Sequence, residues 1–228
     1  MLVLENVSKI YENPYSEDDR ILVLRGIDLT LEGGNCNFIL GKSGSGKSTF
    51  LRLVAGIEQP TTGKILFNNV QINTIKKKER ILFWQKHVGF INQDPLRNLI
   101  ASFNVEQNIR LPMKILGKLS REEQKKRVID LLDYVDLPTK LHRKVTTLSG
   151  GEQQRIAVCV GIANNPDLIL ADEPTGELDS KNAVNIITLL RNLIKDNDII
   201  EIIVTHNNSL MQELDTQFTI NKGLIEKK

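Results

Sequence analysis

Hydrophobic and polar positions along this chain follow three different rhythms. Residues Leu2 to Val7 and Leu22 to Leu31 alternate apolar with polar, the pattern of antiparallel strands buried on one face only. Gly63 to Ile72 alternates in the same way through Asn68-Asn69, which suits a hairpin turn. By contrast Asn37 to Leu40, Leu168 to Ala171 and Ile199 to Val204 are nearly continuous apolar runs, predicting central strands covered on both faces. Lys47 opens a helical pattern directly after the first of these. From about Arg97 to Lys144 strand patterns give way to helical ones. There Ser120 and Glu123 have capping-box spacing, and Val128, Leu131, Leu132 and Val135 share one helix face.

These rhythms predict an α/β fold with a mainly parallel sheet, an antiparallel β-subdomain at the N-terminal end and an inserted helical subdomain. The expected division of the single domain 1–228 is a core made of residues 1–92 and 164–228, interrupted by helices over about 97–163. The chain shows no internal repeat, no low-complexity linker and no heptad run.

Composition narrows the field. The 228 residues are 40% hydrophobic and 25% charged, ordinary for a globular domain with a full core. A net charge of +2 gives no argument for nucleic acid as a partner. The run Lys76-Lys77-Lys78 is short and contains no aromatic residue, so it reads as a solvated face. Cys36 and Cys159 lack metal spacing and read as buried, unreactive thiols of a reducing compartment. The N-terminal stretch does not have the form of a signal peptide, and no apolar run reaches the ~18 residues needed to span a bilayer. Any membrane crossing would then come from another chain.

The chemistry begins at Gly41-Lys42-Ser43-Gly44-Ser45-Gly46-Lys47-Ser48-Thr49, which fits G-x-x-x-x-G-K-[ST] between a strand and a helix. Glycines let the backbone curl around phosphates where side chains would collide. Lys47 would reach the β- and γ-phosphates, and the Ser48 hydroxyl would coordinate Mg²⁺. Asp172, ending the apolar run from Leu168, is placed to hold Mg²⁺ through water. Glu173 projects differently and would polarise an attacking water.

A second phosphate cradle follows at Leu148-Ser149-Gly150-Gly151-Glu152-Gln153-Gln154-Arg155, where a glycine turn runs into a helix. With the first loop, with Leu168 to Pro174 and with His206 after a last strand, this sequence resembles the ATPase subunits of ABC transporters over essentially the whole chain. The resemblance implies a P-loop NTPase core using ATP and Mg²⁺. It assigns Tyr11 to stacking on adenine, with Tyr15 as substitute, Gln93 to Mg²⁺ and to the link with the helical subdomain, and His206 to the γ-phosphate. His87 and His142 match nothing and read as surface residues.

The resemblance also gives the second cradle a use. Ser149, Gly150, Gly151 and Glu152 would hold ATP bound to a second ATPase subunit, most simply another copy of this chain. Asp179 would lie in the loop crossing that interface. Separate transmembrane permease subunits are implied as partners, placing the protein peripherally on the cytoplasmic face of the membrane. The text from Asn164 to Gly176 is most similar to the lipoprotein-release and macrolide-export branch, the mechanotransmission type. An importer-type ATPase subunit and a soluble non-transport ABC protein stay open as alternatives.

Three departures stand out. Asp94 to Ile100 replaces the usual phenylalanine-containing text after Gln93. Cys159 and Val160 occupy positions commonly filled by alanine and arginine, which would alter helix packing. Glu177 puts an acid beside the expected nucleotide interface, and Lys42 adds a compensating charge.

Overall fold

The structure, a computed structural model, describes residues 1–13, 16–195 and 198–228. Two sheets organise it. In the first, β1 (Leu2–Asn13) pairs antiparallel with β2 (Ser16–Leu31) and with β4 (Thr62–Phe67), and β5 (Val70–Gln71) closes the order β2-β1-β4-β5. The alternation seen in the sequence puts Leu2, Leu4 and Val7 on the buried face. Asn68 and Asn69, at φ 47° and 65°, make the tight turn between β4 and β5. Both central residues of such a turn need positive φ, which asparagine tolerates.

The second sheet has the order β10-β9-β3-β8-β7-β6. Its strands are β3 (Cys36–Leu40), β6 (Val88–Ile91), β7 (Leu168–Asp172), β8 (Ile200–Thr205), β9 (Thr216–Asn221) and β10 (Leu224–Lys227). All neighbours are parallel except β10, which folds back on β9. The continuous apolar runs are explained by burial on both faces: Phe38 packs on one side and Ile39 on the other, each 0% exposed. On the Ile39 side, α1 (Lys47–Val54) is sandwiched between this sheet and the antiparallel one. On the Phe38 side lie α3 (Val105–Leu116), α4 (Arg121–Tyr134), α5 (Gly150–Ile162) and α6 (Ser180–Lys195).

The capping box forms as expected, with the Ser120 N–H donating to Glu123 Oε2 at 2.7 Å and the Glu123 N–H to Ser120 Oγ at 3.3 Å. The predicted face of Val128, Leu131, Leu132 and Val135 is buried. Cys36 and Cys159 are buried and free. Burial pushes the Cys159 thiol up to about 12, and it sits in the layer between α4 and α5, donating to the Leu131 carbonyl.

Three features depart from the sequence expectation. A helix, α2 (Lys77–His87), forms where the sequence pattern gave none; none of its residues is buried, so no core-facing stripe marks it. The run Ile199 to Val204 is not uniformly apolar in its consequences, since Glu201 within β8 is 0% exposed. His87 is not a free surface residue: its Nδ1 is 2.6 Å from Asp167 Oδ2, and its ring packs on Phe67 and Phe83.

Candidate nucleotide site

Parallel strands β3, β8, β7 and β6 all end on one side of the sheet, and the loops after them share one cleft of about 1030 Å³. The first wall is the loop from Gly41 to Gly46. Gly44 and Gly46 take φ of 76° and 104°, and a Cβ at Gly41 would lie 2.5 Å from Ser45 Oγ and 2.8 Å from the Ile220 carbonyl. The loop therefore closes only with glycine at these positions. It delivers α1 with Gly46 as N-cap and no side-chain cap, leaving first-turn amides available to an anion. Lys47 is 7% exposed, and its ammonium donates to the carbonyls of Gly41 at 2.7 Å and Lys42 at 3.0 Å.

Opposite stand the two acids. Burial pushes the Asp172 carboxyl above its usual range, against the pull of a hydrogen bond from the Ser48 hydroxyl. Glu173 turns elsewhere: Oε2 lies 2.9 Å from His206 Nδ1 and 3.3 Å from the His206 N–H, while Oε1 lies 3.8 Å from Lys47 Nζ. Gln93 follows β6 and lines the same cleft, as do Lys42, Ser43, Thr49 and Glu177. A Cβ at Gly176 would come within 2.9 Å of the Gln93 side-chain amide, so the glycine leaves that amide its place.

The candidate ligands in this cleft are oxygens: the Ser48 hydroxyl and the Asp172 carboxylate, which meet, and the amide carbonyl of Gln93, which lines the same cleft. That set fits a hard divalent cation such as Mg²⁺. Among the described residues no cluster of three His, Cys, Asp or Glu side chains is assembled. Such an ion would complete its shell with phosphate oxygens and water, as Mg²⁺ commonly does.

The second cradle stands apart. Ser149 caps α5: its N–H donates to Glu152 Oε2 at 2.9 Å, and its Oγ accepts from the Glu152 N–H at 3.3 Å. Lys140 pairs with the same Glu152 carboxylate at 2.8 Å. Gly150 is exposed, and Gly151 packs close to Asn182, whose side chain donates to Asp179 Oδ2 at 2.6 Å. Asp179 in turn accepts from the first amides of α6, those of Lys181 and Asn182. Ser149, Gly150 and Asp179 are exposed, Gly151 and Glu152 beside them are half-buried, and none of the five lines the cleft.

Tyr11 does not line the cleft either. Its hydroxyl donates to Glu58 at 2.6 Å, and the Lys9 ammonium sits 4.9 Å from its ring centroid. Tyr15 lies outside the described residues. His142 is largely exposed, as expected.

The sequence reading missed several residues. Val23, Arg52, Asn92 and Arg97 line the cleft, coming from strand, helix and turn positions with no motif of their own. Gln154, 1% exposed on α5, donates to the Asn92 carbonyl and so ties the second cradle's helix to the residue beside Gln93. Asn98 accepts from the Asn92 N–H and side-chain amide and donates to the Phe90 carbonyl at 2.6 Å, fixing the segment after Gln93 against β6. The motif text Leu148 to Arg155 did contain Gln154. Nothing in the sequence singled out Asn98.

Fold and site together define a P-loop ATPase, with the capped start of α5 lying outside its cleft. The ABC transporter family matches residues 24–176. The lipoprotein-releasing system ATP-binding protein LolD of Desulfotalea psychrophila is 36% identical over 227 residues, covering 100% of both chains. The methionine import ATP-binding protein MetN of Helicobacter acinonychis is 37% identical over 98% of this chain and 68% of its own. Among solved structures, the dimeric ATP-binding cassette MJ0796 bound to ADP and Pi superposes with a TM-score of 0.89 at 33% identity, covering 100% of this chain and 98% of that one. The chain belongs to the ABC transporter family, as an ATP-binding and hydrolysing subunit. Among the described residues no helix is long and apolar enough to cross a membrane.

Proposed function

We propose that two copies of this chain close head to tail around two ATP molecules and drive a separate membrane permease of the lipoprotein-release or mechanotransmission type. The observation that carries this reading is the split site. One cleft holds the loop, the acids and His206, while none of Ser149, Gly150, Gly151 and Glu152 at the start of α5 lines it.

In the cleft, Lys47 leaves the Gly41 and Lys42 carbonyls for the β- and γ-phosphates, drawn by their charge. Ser48, Asp172 and Gln93 are the residues that would hold Mg²⁺, which supplies charge neutralisation on the phosphates. Glu173 orients and polarises the attacking water, and His206, already at its carboxylate, steadies that group and reaches the γ-phosphate. From the partner copy, Ser149, Gly150 and Gly151 add a hydroxyl and helix-terminal amides. For this the Ser149 hydroxyl swings away from Glu152, whose charge stays neutralised by Lys140. Asp179 crosses the same interface, and Tyr11 exchanges its Glu58 contact for the adenine ring.

ADP lacks the γ-phosphate contacts, so ATP favours closure and hydrolysis relaxes it. A reversal from 1:99 to 99:1 needs ~5.5 kcal/mol of differential affinity, which two shared γ-phosphates can supply. The helical segment 97–163 is the unit that would carry this closure toward the permease. The names of the relatives support the membrane partner: the LolD proteins are called parts of a lipoprotein-releasing system, and cbiO1 from Clostridium perfringens, 28% identical with a TM-score of 0.86, is called part of the transporter complex cbiONQ. The same reading places the protein peripherally on the cytoplasmic face of the membrane.

The test is Glu173→Gln. Turnover should fall ~10²–10⁴-fold while ATP still binds, and dimers should accumulate with Mg-ATP in light scattering. A variant that stays monomeric at high concentration under saturating Mg-ATP, alone and beside its membrane subunit, would refute the proposal. The topology of a copurified membrane subunit separates the release type from an importer.

A further inference from the structure

The lysine run that reads as a solvated face in the sequence belongs, in the fold, to α2. Three large apolar side chains stand exposed on that helix: Ile81 at 48%, Leu82 at 53% and Trp84 at 41%. At 100° per residue, Lys77, Ile81, Lys78, Leu82 and Lys86 occupy one half of the helix surface, all exposed. Trp84 borders that half. From Lys76 to Lys86 the segment carries five basic groups against one acid, Glu79. Glu79 is occupied in accepting from the Lys76 N–H at 3.2 Å. None of the five basic groups has an ion-pair partner among the described residues.

Two costs are left uncompensated within the chain. Lysines in the first turn of a helix are repelled by its dipole. Exposed isoleucine, leucine and tryptophan beside one another keep apolar area in water. Beneath Leu82 the helix also leaves a hollow of about 440 Å³ whose walls include Val70, Ile75 and Phe83. An anionic lipid surface relieves both costs at once: phosphates meet the lysines, and the headgroup boundary accepts the apolar side chains, with tryptophan at its preferred depth.

We propose that α2, with the β4–β5 hairpin beside it, lies against anionic phospholipid headgroups. The contact is with lipid itself and needs no permease, so it stands or falls separately from the complex argued above.

The experiment is flotation of the purified full chain with vesicles of phosphatidylcholine alone or with about 30% phosphatidylglycerol, at low and high salt. Trp84, the one tryptophan of the chain, reports insertion through its emission. The expected result is co-flotation with the anionic vesicles only, a blue shift of emission on binding, and release by salt. Lys77→Glu with Lys78→Glu should weaken partitioning by roughly fivefold or more per charge. Leu82→Ser should weaken it and shrink the blue shift. Lys125→Glu with Lys126→Glu on α4 makes the same change in net charge and should leave binding unchanged. Retained ATP binding and melting temperature show that the variants fold. Absence of flotation, equal flotation on neutral vesicles, an unshifted Trp84 emission, or equal effects of the α2 and α4 reversals would overturn the proposal. So would binding seen only with a permease present.

Discussion

Glu201 offers a direct measurement of what a buried acid costs this fold. It is the second residue of β8, paired in register with Cys36 of β3, and is 0% exposed. No donor among the described residues meets its carboxyl oxygens at full hydrogen-bond geometry. Burial raises its pKa from 4.5 to about 7, with weak relief from the Cys36 thiol and from Arg191, and a further push from Asp215. Arg191 is itself committed to Asp215. The folded state therefore holds the proton more tightly than the unfolded chain. Below pH 4.5 the group is protonated in both states and its ionisation costs nothing. Between 4.5 and about 7 stability falls as pH rises, because the unfolded chain ionises first, and above 7 the loss levels off at about 3 kcal/mol. Glu201→Gln keeps the shape and removes the titration, so its stability relative to wild type should rise by about 2–3 kcal/mol between pH 4.5 and pH 8. Urea unfolding of both proteins at several pH values from 4.5 to 8 reads this difference, since Cys36 and Tyr134, which feel the Glu201 charge, titrate above that range. Parallel stability profiles, with a constant offset, would refute the reasoning.

Two other perturbations test the site's supports. Asn98→Ala removes three hydrogen bonds that anchor the segment after Gln93. It should cost about 2–4 kcal/mol in denaturant unfolding and lower turnover by displacing Gln93; full stability would show the anchor to be redundant. Glu177 lines the cleft with Lys42, and an acid there opposes a triphosphate. Glu177→Asn should tighten ATP binding by roughly 2–5-fold and lessen its dependence on magnesium, as read by titration calorimetry with and without the metal. Identical dependence in both proteins would retire the idea.

Much of this architecture was open to reading because burial leaves a rhythm. Phe38 and Ile39 are apolar for opposite faces, so β3 shows as a run, while Leu2 and Leu4 share a face and show as alternation. The loop from Gly41 to Gly46 is legible for a different reason: its conformations and close approaches exclude side chains, so glycine marks them. α2 left no rhythm because none of its residues is buried. Glu201 was masked by its neighbours, since a single acid does not disrupt an apolar run, and only the pairing of β8 with β3 and β7 shows it enclosed. Asn98 and Gln154 act through partners at Phe90 and Asn92, distances along the chain that no local pattern encodes. Tyr11 is assigned to adenine by resemblance alone, and its hydroxyl donates to Glu58.

The two adjacent acids show how geometry separates roles that the sequence places side by side. Asp172 ends β7 in register with Val204, and its side chain follows the strand toward Ser48. Were Glu173 also extended, its side chain would point to the opposite face of the sheet. Instead it adopts φ 49°, while its N–H still donates to the Val204 carbonyl at 2.9 Å. Its own carbonyl accepts from the Gly176 N–H at 3.0 Å, closing a turn. A non-glycine residue held in this region costs about 1–3 kcal/mol, and it persists because the ladder bond and the turn over-determine it. The strain turns the carboxylate back over the cleft, to His206 at 2.9 Å and Lys47 at 3.8 Å. Placement of a water-polarising group opposite the phosphate loop thus depends on one unfavourable backbone angle, and that angle is bought by the hydrogen bonds on either side of it.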